Sequence, residues 1–353
     1  MSGKIATVIV GATGYVGGEL LRLVATHPVL ELHAAVSSSR AGEAIADLFP
    51  GLANAYPDAA FSTLESALEG LAKGDRLAVF SAAPHAASAA VVAALLSGAA
   101  ERDLEAHAVD VSADFRYPSA EAFETVYGSA HPEPGLLSEF SCAVPEHVKG
   151  TPSPHIGHPG CFATAMLLAG VPLYTSGQVA SPLLVTGITG STGSGRSPSA
   201  GTHHPERHSN LYAYKPLAHR HVPEVQALIE AASGVAPVVN FIPHSGPFAR
   251  GIYITAQATL SSAMSAGELA GHYERFYADS PFVRVVSGTP RLKDVQASNV
   301  AHIGIATSGT SVAVMCAIDN LVKGAAGGAV QWMNRLWSLP EESGLMAPSP
   351  AWI

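Results

Sequence analysis

Residues 5–25 read IATVIVGATGYVGGELLRLVA, and their texture changes twice within that stretch. The opening IATVIV is apolar and rich in β-branched side chains, which is the composition of a buried strand. It ends in Gly11-Ala12-Thr13-Gly14-Tyr15-Val16-Gly17, after which Glu19 to Ala25 shows helical spacing. Strand, glycine-rich turn and helix in that order make a dinucleotide-binding loop. One glycine permits the sharp turn, the next lets backbone approach a pyrophosphate, and the last lets helix and strand pack closely. The helix start then offers free N–H groups and a positive dipole end to the phosphates. The GxxGxxG spacing departs from the commoner GxGxxG, so the loop is read with its context and not alone.

Further strands are predicted at 31–36, 77–81 and 107–111, with a helix near 86–97. Strands alternating with helices specify a doubly wound parallel sheet of Rossmann type, with polar residues collected at the carboxyl ends of the strands. The second strand ends in Ser37-Ser38-Ser39-Arg40, where an acidic residue would grip the ribose of NAD. Arg40 with Ser38 or Ser39 suits a 2′-phosphate, because a guanidinium binds phosphate bidentately. NADP is therefore the expected cofactor. After Cys161 the strand-like segments 181–190, 236–242, 251–260 and 311–318 are separated by loops at 191–218 and 243–250. This predicts a second, α+β catalytic and dimerisation domain with a mixed sheet. The expected divisions are 1–160, 161–318, and a returning segment 319–353 with a helix at about 324–336 and a proline-rich tail.

The chain has 353 residues, 13% of them charged, and a net charge of −9. That balance argues against nucleic acid or an anionic membrane as the partner, without excluding a local cationic pocket. Neither a signal peptide nor a membrane span is read; the alanine-rich 82–100 stretch holds Pro84, His85 and serines and reads as buried helix. Three cysteines without a CxxC pair make neither a disulfide framework nor a metal site, so a reducing, cytoplasmic setting is expected.

Cys142 and Cys316 lie in apolar, strand-like contexts, and burial is their expected fate. Cys161 differs: in His158-Pro159-Gly160-Cys161-Phe162 it follows a tight turn and stands at a predicted helix start. N–H donors and the helix dipole there favour a thiolate, the form that attacks acyl groups. Histidines crowd around 203–221. His203 and His204 are adjacent in a predicted loop, and His219 and His221 are spaced i, i+2, which suits neither helical zinc pair; no metal is expected. One of His219 and His221 suits acid/base work instead. Cationic candidates for an anionic substrate are Arg116, Arg196, Arg207, Lys215, Arg220 and Arg250, with Arg116 and Arg196 preferred.

Six segments then fall together: 10–23 (VGATGYVGGELLRL), 109–116 (VDVSADFR), 144–146 (VPE), 158–164 (HPGCFAT), 219–224 (HRHVPE) and 319–327 (DNLVKGAAG). In combination they resemble the N-acetyl-γ-glutamyl-phosphate reductase family, relatives of aspartate-semialdehyde dehydrogenase. The resemblance implies an NADPH-dependent reduction of a small-molecule acyl phosphate to an aldehyde, in a homodimer or homotetramer. It implies that Cys161 is the nucleophile and that His219, or else His221, is the acid/base. Arg116 would meet the phosphate, with Ser112, Arg196 and Glu224 as further substrate contacts. Thr13, Tyr15, Val16, Pro84, Ser191, Gly193, Asn320 and Gly324 would join the glycines, Ser38 and Arg40 around the cofactor. Segment 197–216 looks like a branch whose substrate rides on an acidic amino-group carrier protein. The His158–Cys161 motif looks like the form that acts on the free N-acetylated molecule, which is the expectation preferred here.

Overall fold

A computed structural model describes residues 3–351 and divides the chain into two compact units. The first comprises residues up to His158 together with Ala325–Met346; the second comprises Pro159–Gly324 and the tail from Ala347.

In the first unit β1 (Ile5–Val10), α1 (Tyr15–Ala25), β2 (Leu30–Val36), α2 (Ile45–Leu48), β3 (Phe61–Ser62) and β4 (Arg76–Ser81) come first. They are followed by α3 (Ser88–Glu101), β5 (Glu105–Asp110), α4 (Ala120–Tyr127), β6 (Phe140–Cys142) and β7 (His155–Gly157). The seven strands are all parallel, in the order β3-β2-β1-β4-β5-β7-β6. The order reverses between β1 and β4, and the glycine turn leaves β1 at that reversal, where open parallel sheets bind ligands. Val8, Ile9, Val79 and Phe80 are fully buried, as two-sided coverage of the sheet requires. The connection after β5 is fixed by buried polar groups. Asp114 accepts the Ala86 and Ala89 N–H groups at the start of α3, and Ser88 donates to Asp110 at 2.6 Å.

The second unit opens with α5 (Cys161–Thr175) and continues through β8 (Leu183–Thr189), α6 (His204–Arg207), β9 (Tyr212–Ala213), α7 (Val222–Ser233), β10 (Val239–Ser245) and β11 (Ile252–Thr259). It then adds α8 (Ala266–Phe276), β12 (Val283–Val285), β13 (Ala301–Ser308) and β14 (Ser311–Ile318). Its sheet is mixed, ordered β12-β13-β14-β11-β8-β10-β9. α5 is apolar all round and buried from Phe162 to Tyr174, as a central helix must be. Pro172 interrupts its ladder and cannot donate to the Leu168 carbonyl. The Tyr277 hydroxyl supplies that donor at 2.8 Å, and the Tyr273 hydroxyl donates to Ala169. The helix that presents Cys161 is thus held by two tyrosines at the end of α8.

Several boundaries differ from the sequence reading. β10 begins at Val239, not at 236, and runs on to Ser245. Pro237 lacks the N–H that a ladder needs, so pairing starts beyond it. The stretch expected to be loop at 203–208 holds the short helix α6. Asp319 to Gly324 stay with the second unit: the Asp319 carboxylate accepts from Arg250, Ala297, Leu321 and Val322. A π turn at Val322–Ala326 precedes α9 (Gly327–Leu336) in the first unit. Among the described residues no helix is long and apolar enough to cross a membrane.

Candidate active site

The glycine turn meets the demands of a phosphate cradle. Gly11 has φ +68°, and a Cβ there would lie 2.5 Å from the Ala82 carbonyl oxygen. A Cβ at Gly17 would lie 2.4 Å from the Gly11 oxygen, so α1 can approach β1 only without one. Gly14 caps α1 with no side-chain bond, and the first turn of α1 carries no acidic residue. The amides of an uncapped helix start suit an anionic pyrophosphate. Arg40 and Ser38 lie exposed beyond β2, and Arg40 pairs with Glu43 at 2.5 Å. Pro84 is exposed in the connection from β4 to α3.

Cys161 is the first residue of α5 and half-buried. Gly160 caps that helix in an extended conformation without a side-chain bond, and no acidic residue stands in the first turn. The preceding loop is strapped to the start of α7: Gly160 donates its N–H to the buried Glu224 carboxylate at 2.8 Å. A Cβ on Gly160 would lie 2.3 Å from Nε2 of His221. The His221 imidazole therefore occupies the space beside the residue that precedes the cysteine. On another side, a Cβ at Gly324 would lie 2.8 Å from the Cys161 Cβ, so only glycine lets the π turn pass there.

Cys161 opens on a cavity of about 370 Å³ shared with Phe162, Gly193, Tyr214, Lys215, His219, Arg220 and His221. His219 and His221 do meet, with ring centroids 4.6 Å apart. They do so through a turn and the cap of α7. His219 accepts the His221 N–H on Nδ1 at 3.2 Å and is enclosed by Phe162, Phe241 and Tyr214. Burial lowers its pKa to about 4, assisted by the charges of Arg220 and Lys215. It is therefore neutral at working pH, with the Nε2 position left to carry its proton.

That value has a consequence for stability. A histidine titrating near 6.5 when unfolded and near 4 when folded takes its proton first in the unfolded chain. Stability contributed at neutral pH is lost as pH falls from 6.5 to 4, by about 3 kcal/mol for His219. His219→Asn keeps an acceptor for the His221 N–H and should flatten that part of the slope. Urea unfolding between pH 7 and 4.5, followed by hydrogen exchange in α7 and β10, measures it; an unchanged slope in the variant would contradict the assignment.

Other expected contacts are redistributed. Ser112 donates to Asp110 at 2.8 Å and accepts from the Asp114 N–H, bonds that build the turn after β5. Burial raises the Asp110 carboxyl to about 6 against those bonds. Arg116 donates Nε to the His158 carbonyl and Nη2 to the Val111 carbonyl, both at 2.9 Å, which engages two of its nitrogens on backbone. Arg196 lies exposed and does not line the Cys161 cavity. Arg250 is bound to Asp319. Asn320 donates to Thr192 and accepts from the Gly251 N–H, so its amide braces loops of the second unit. Ser191 opens the turn Ser191–Ser194, of which Gly193 and Ser194 reach the cavity. Cys316 is buried, and its thiol is pushed up to about 12, which makes it inert. The cations that do share the cavity, Lys215 and Arg220, were candidates of lower rank, since exposure within a loop leaves no mark on spacing.

Known proteins show the same two-part layout. Residues 6–147 match the family described as semialdehyde dehydrogenase, NAD binding domain, and residues 161–320 the semialdehyde dehydrogenase dimerisation domain. An N-acetyl-γ-glutamyl-phosphate reductase of Methanopyrus kandleri is 38% identical, covering 96% of this chain and 97% of its own. One from Dehalococcoides mccartyi is 36% identical, covering 98% of each. In fold, aspartate semialdehyde dehydrogenase II from Vibrio cholerae superposes with TM-score 0.69 at 16% identity over 96% of this chain and 99% of that one. The Candida albicans enzyme, solved with NADP, gives 0.68 at 15% identity over 96% of this chain and 99% of its own.

Proposed function

The chain belongs to the N-acetyl-γ-glutamyl-phosphate reductase family, and from that premise we propose that it reduces N-acetyl-γ-glutamyl phosphate to the corresponding semialdehyde with NADPH. The observation that carries the reading is Cys161 at an uncapped helix start, with an imidazole beside it and cations in its cavity.

Cys161 attacks the acyl carbon, the bond from that carbon to the phosphate oxygen breaks, and a thioester forms. The thiol proton passes by way of imidazole to the departing phosphate. Lys215 and Arg220 balance the phosphate charge from the exposed side of the cavity. A bound reduced nicotinamide would supply the hydride that converts the thioester into a thiohemiacetal. The thiohemiacetal then expels the Cys161 sulfur as the aldehyde forms. Of the two histidines, His221 is the one we assign to proton transfer. Its ring lies against Gly160, whereas His219, held neutral, orients it through the bond to its N–H.

The glycine turn would hold the dinucleotide and Arg40 its 2′-phosphate, the guanidinium leaving Glu43 to do so. Arg40→Ala is expected to raise the KM for NADPH about 10- to 100-fold while leaving NADH use unchanged. Equal effects on both cofactors would remove the case for NADP. A homo-oligomer formed through the second unit fits the exposed Leu184 and Ile242 on its sheet. A reducing, cytoplasmic setting fits three free cysteines. The reaction itself is tested in reverse, by phosphate-dependent NADP reduction with N-acetylglutamate semialdehyde, aspartate semialdehyde and a carrier-borne glutamyl semialdehyde side by side. Turnover confined to either of the other two aldehydes would replace the substrate proposed here.

A further inference from the structure

We propose that Arg207 forms an anion subsite that holds the α-carboxylate of the substrate, separate from the cations that meet its phosphate. Arg207 ends α6 and is only 7% exposed. Its Nε and Nη1 are shielded from solvent and have no hydrogen-bond partner. Nη2 donates to the Thr189 carbonyl, at a long 3.4 Å. A guanidinium carries five N–H donors arranged as two forks. With a single bond made, one whole fork remains open whichever edge Thr189 occupies. A buried charge so poorly matched is unstable unless another group completes it.

Its place in the fold says which group. Thr189 lines the Cys161 cavity, as does Tyr214, whose hydroxyl lies within the fields of both Cys161 and Arg207. Among the described residues that line this cavity there is no Asp or Glu, while Lys215 and Arg220 are present. The ligand that balances these charges carries more than one anionic group. The proposed substrate has two, and the chemistry separates them. Phosphate must leave once the thioester forms, which suits the exposed Lys215 and Arg220. The carboxylate stays through the whole cycle, which suits a desolvated fork that binds planar oxyanions bidentately. Arg207 does not itself line the cavity, so the proposed subsite includes a turn of its guanidinium, off the long Thr189 bond, when the carboxylate arrives.

The inference rests on the proposed reaction, and the test separates the two. Arg207→Met and Arg207→Lys are assayed in reverse with N-acetylglutamate semialdehyde and with the same aldehyde lacking its α-carboxylate. In Arg207→Met the KM for the carboxylate-bearing aldehyde should rise about 30- to 100-fold, with the KM for phosphate within about twofold of wild type. The wild-type preference for that aldehyde should vanish. The melting temperature should hold or rise, because an unmatched buried charge has been removed; a structural arginine would lower it. A raised phosphate KM, or a preference that survives the substitution, overturns the assignment. If the wild type turns over neither aldehyde, the proposed reaction fails, and Arg207 is judged by iodoacetamide labelling of Cys161. N-acetylglutamate should then protect the wild type and not Arg207→Met; equal labelling of the two overturns the subsite.

Discussion

Cys161→Ser is expected to lower phosphate-dependent NADP reduction by about 10⁴-fold or more while leaving NADPH binding unchanged. The loss is confined to chemistry because the glycine turn that would hold the cofactor shares no side chain with Cys161. A serine hydroxyl fits the same helix start and keeps the fold. It is a far weaker nucleophile than sulfur near neutrality, and an ester exchanges with phosphate poorly. Steady-state kinetics together with fluorescence titration of NADPH measures both halves. Activity within about tenfold of wild type would mean that sulfur does no covalent work.

The second large effect concerns the neighbour of the cysteine. Gly160→Ala adds one methyl group where Nε2 of His221 lies 2.3 Å from the Cβ position. The backbone there is extended and allowed for alanine, with φ −62° and ψ 155°, so strain is not the source of any effect. The imidazole must move, and kcat is expected to fall about 10²- to 10³-fold, close to the loss in His221→Asn. Combining the two substitutions should add little, since both remove the same proton carrier. His219→Asn, by contrast, keeps an acceptor for the His221 N–H and should cost about tenfold or less. A larger loss in His219→Asn than in His221→Asn would return the proton to His219.

How much of this could be read from sequence depends on what each feature leaves in the local pattern. The glycine turn is legible because backbone geometry forbids side chains there, and the absence of a Cβ is written directly in residues 11–17. Cys161 is legible for a related reason: a Pro-Gly turn followed by a helix-forming run marks a helix start. β13 was not foreseen. Its sequence, AHIGIATS, is full of small residues with weak strand preference, and it is a strand because β12 and β14 flank it. α8 carries a readable signal, the Ser265-to-Glu268 capping box. Ser112 and Asn320, expected at ligands, also brace the chain through bonds that the sequence does not announce. A polar side chain in a loop looks alike in sequence whether it faces a ligand or a backbone N–H. Arg207 was legible only as one cation among several, because its side-chain hydrogen bond is to the Thr189 carbonyl at the end of β8, a partner that local spacing does not reveal.

The central claim is that substrate passes through a thioester on Cys161. The most direct measurement mixes the protein with N-acetylglutamate semialdehyde and NADP in the absence of phosphate, follows NADPH in the first turnover, then quenches with acid for peptide mass analysis. The account predicts a rapid burst of NADPH stoichiometric with active sites and an N-acetylglutamyl adduct on the peptide carrying Cys161, discharged when phosphate is added. Steady NADPH formation with no burst, or an unmodified Cys161 peptide after the burst, would contradict it.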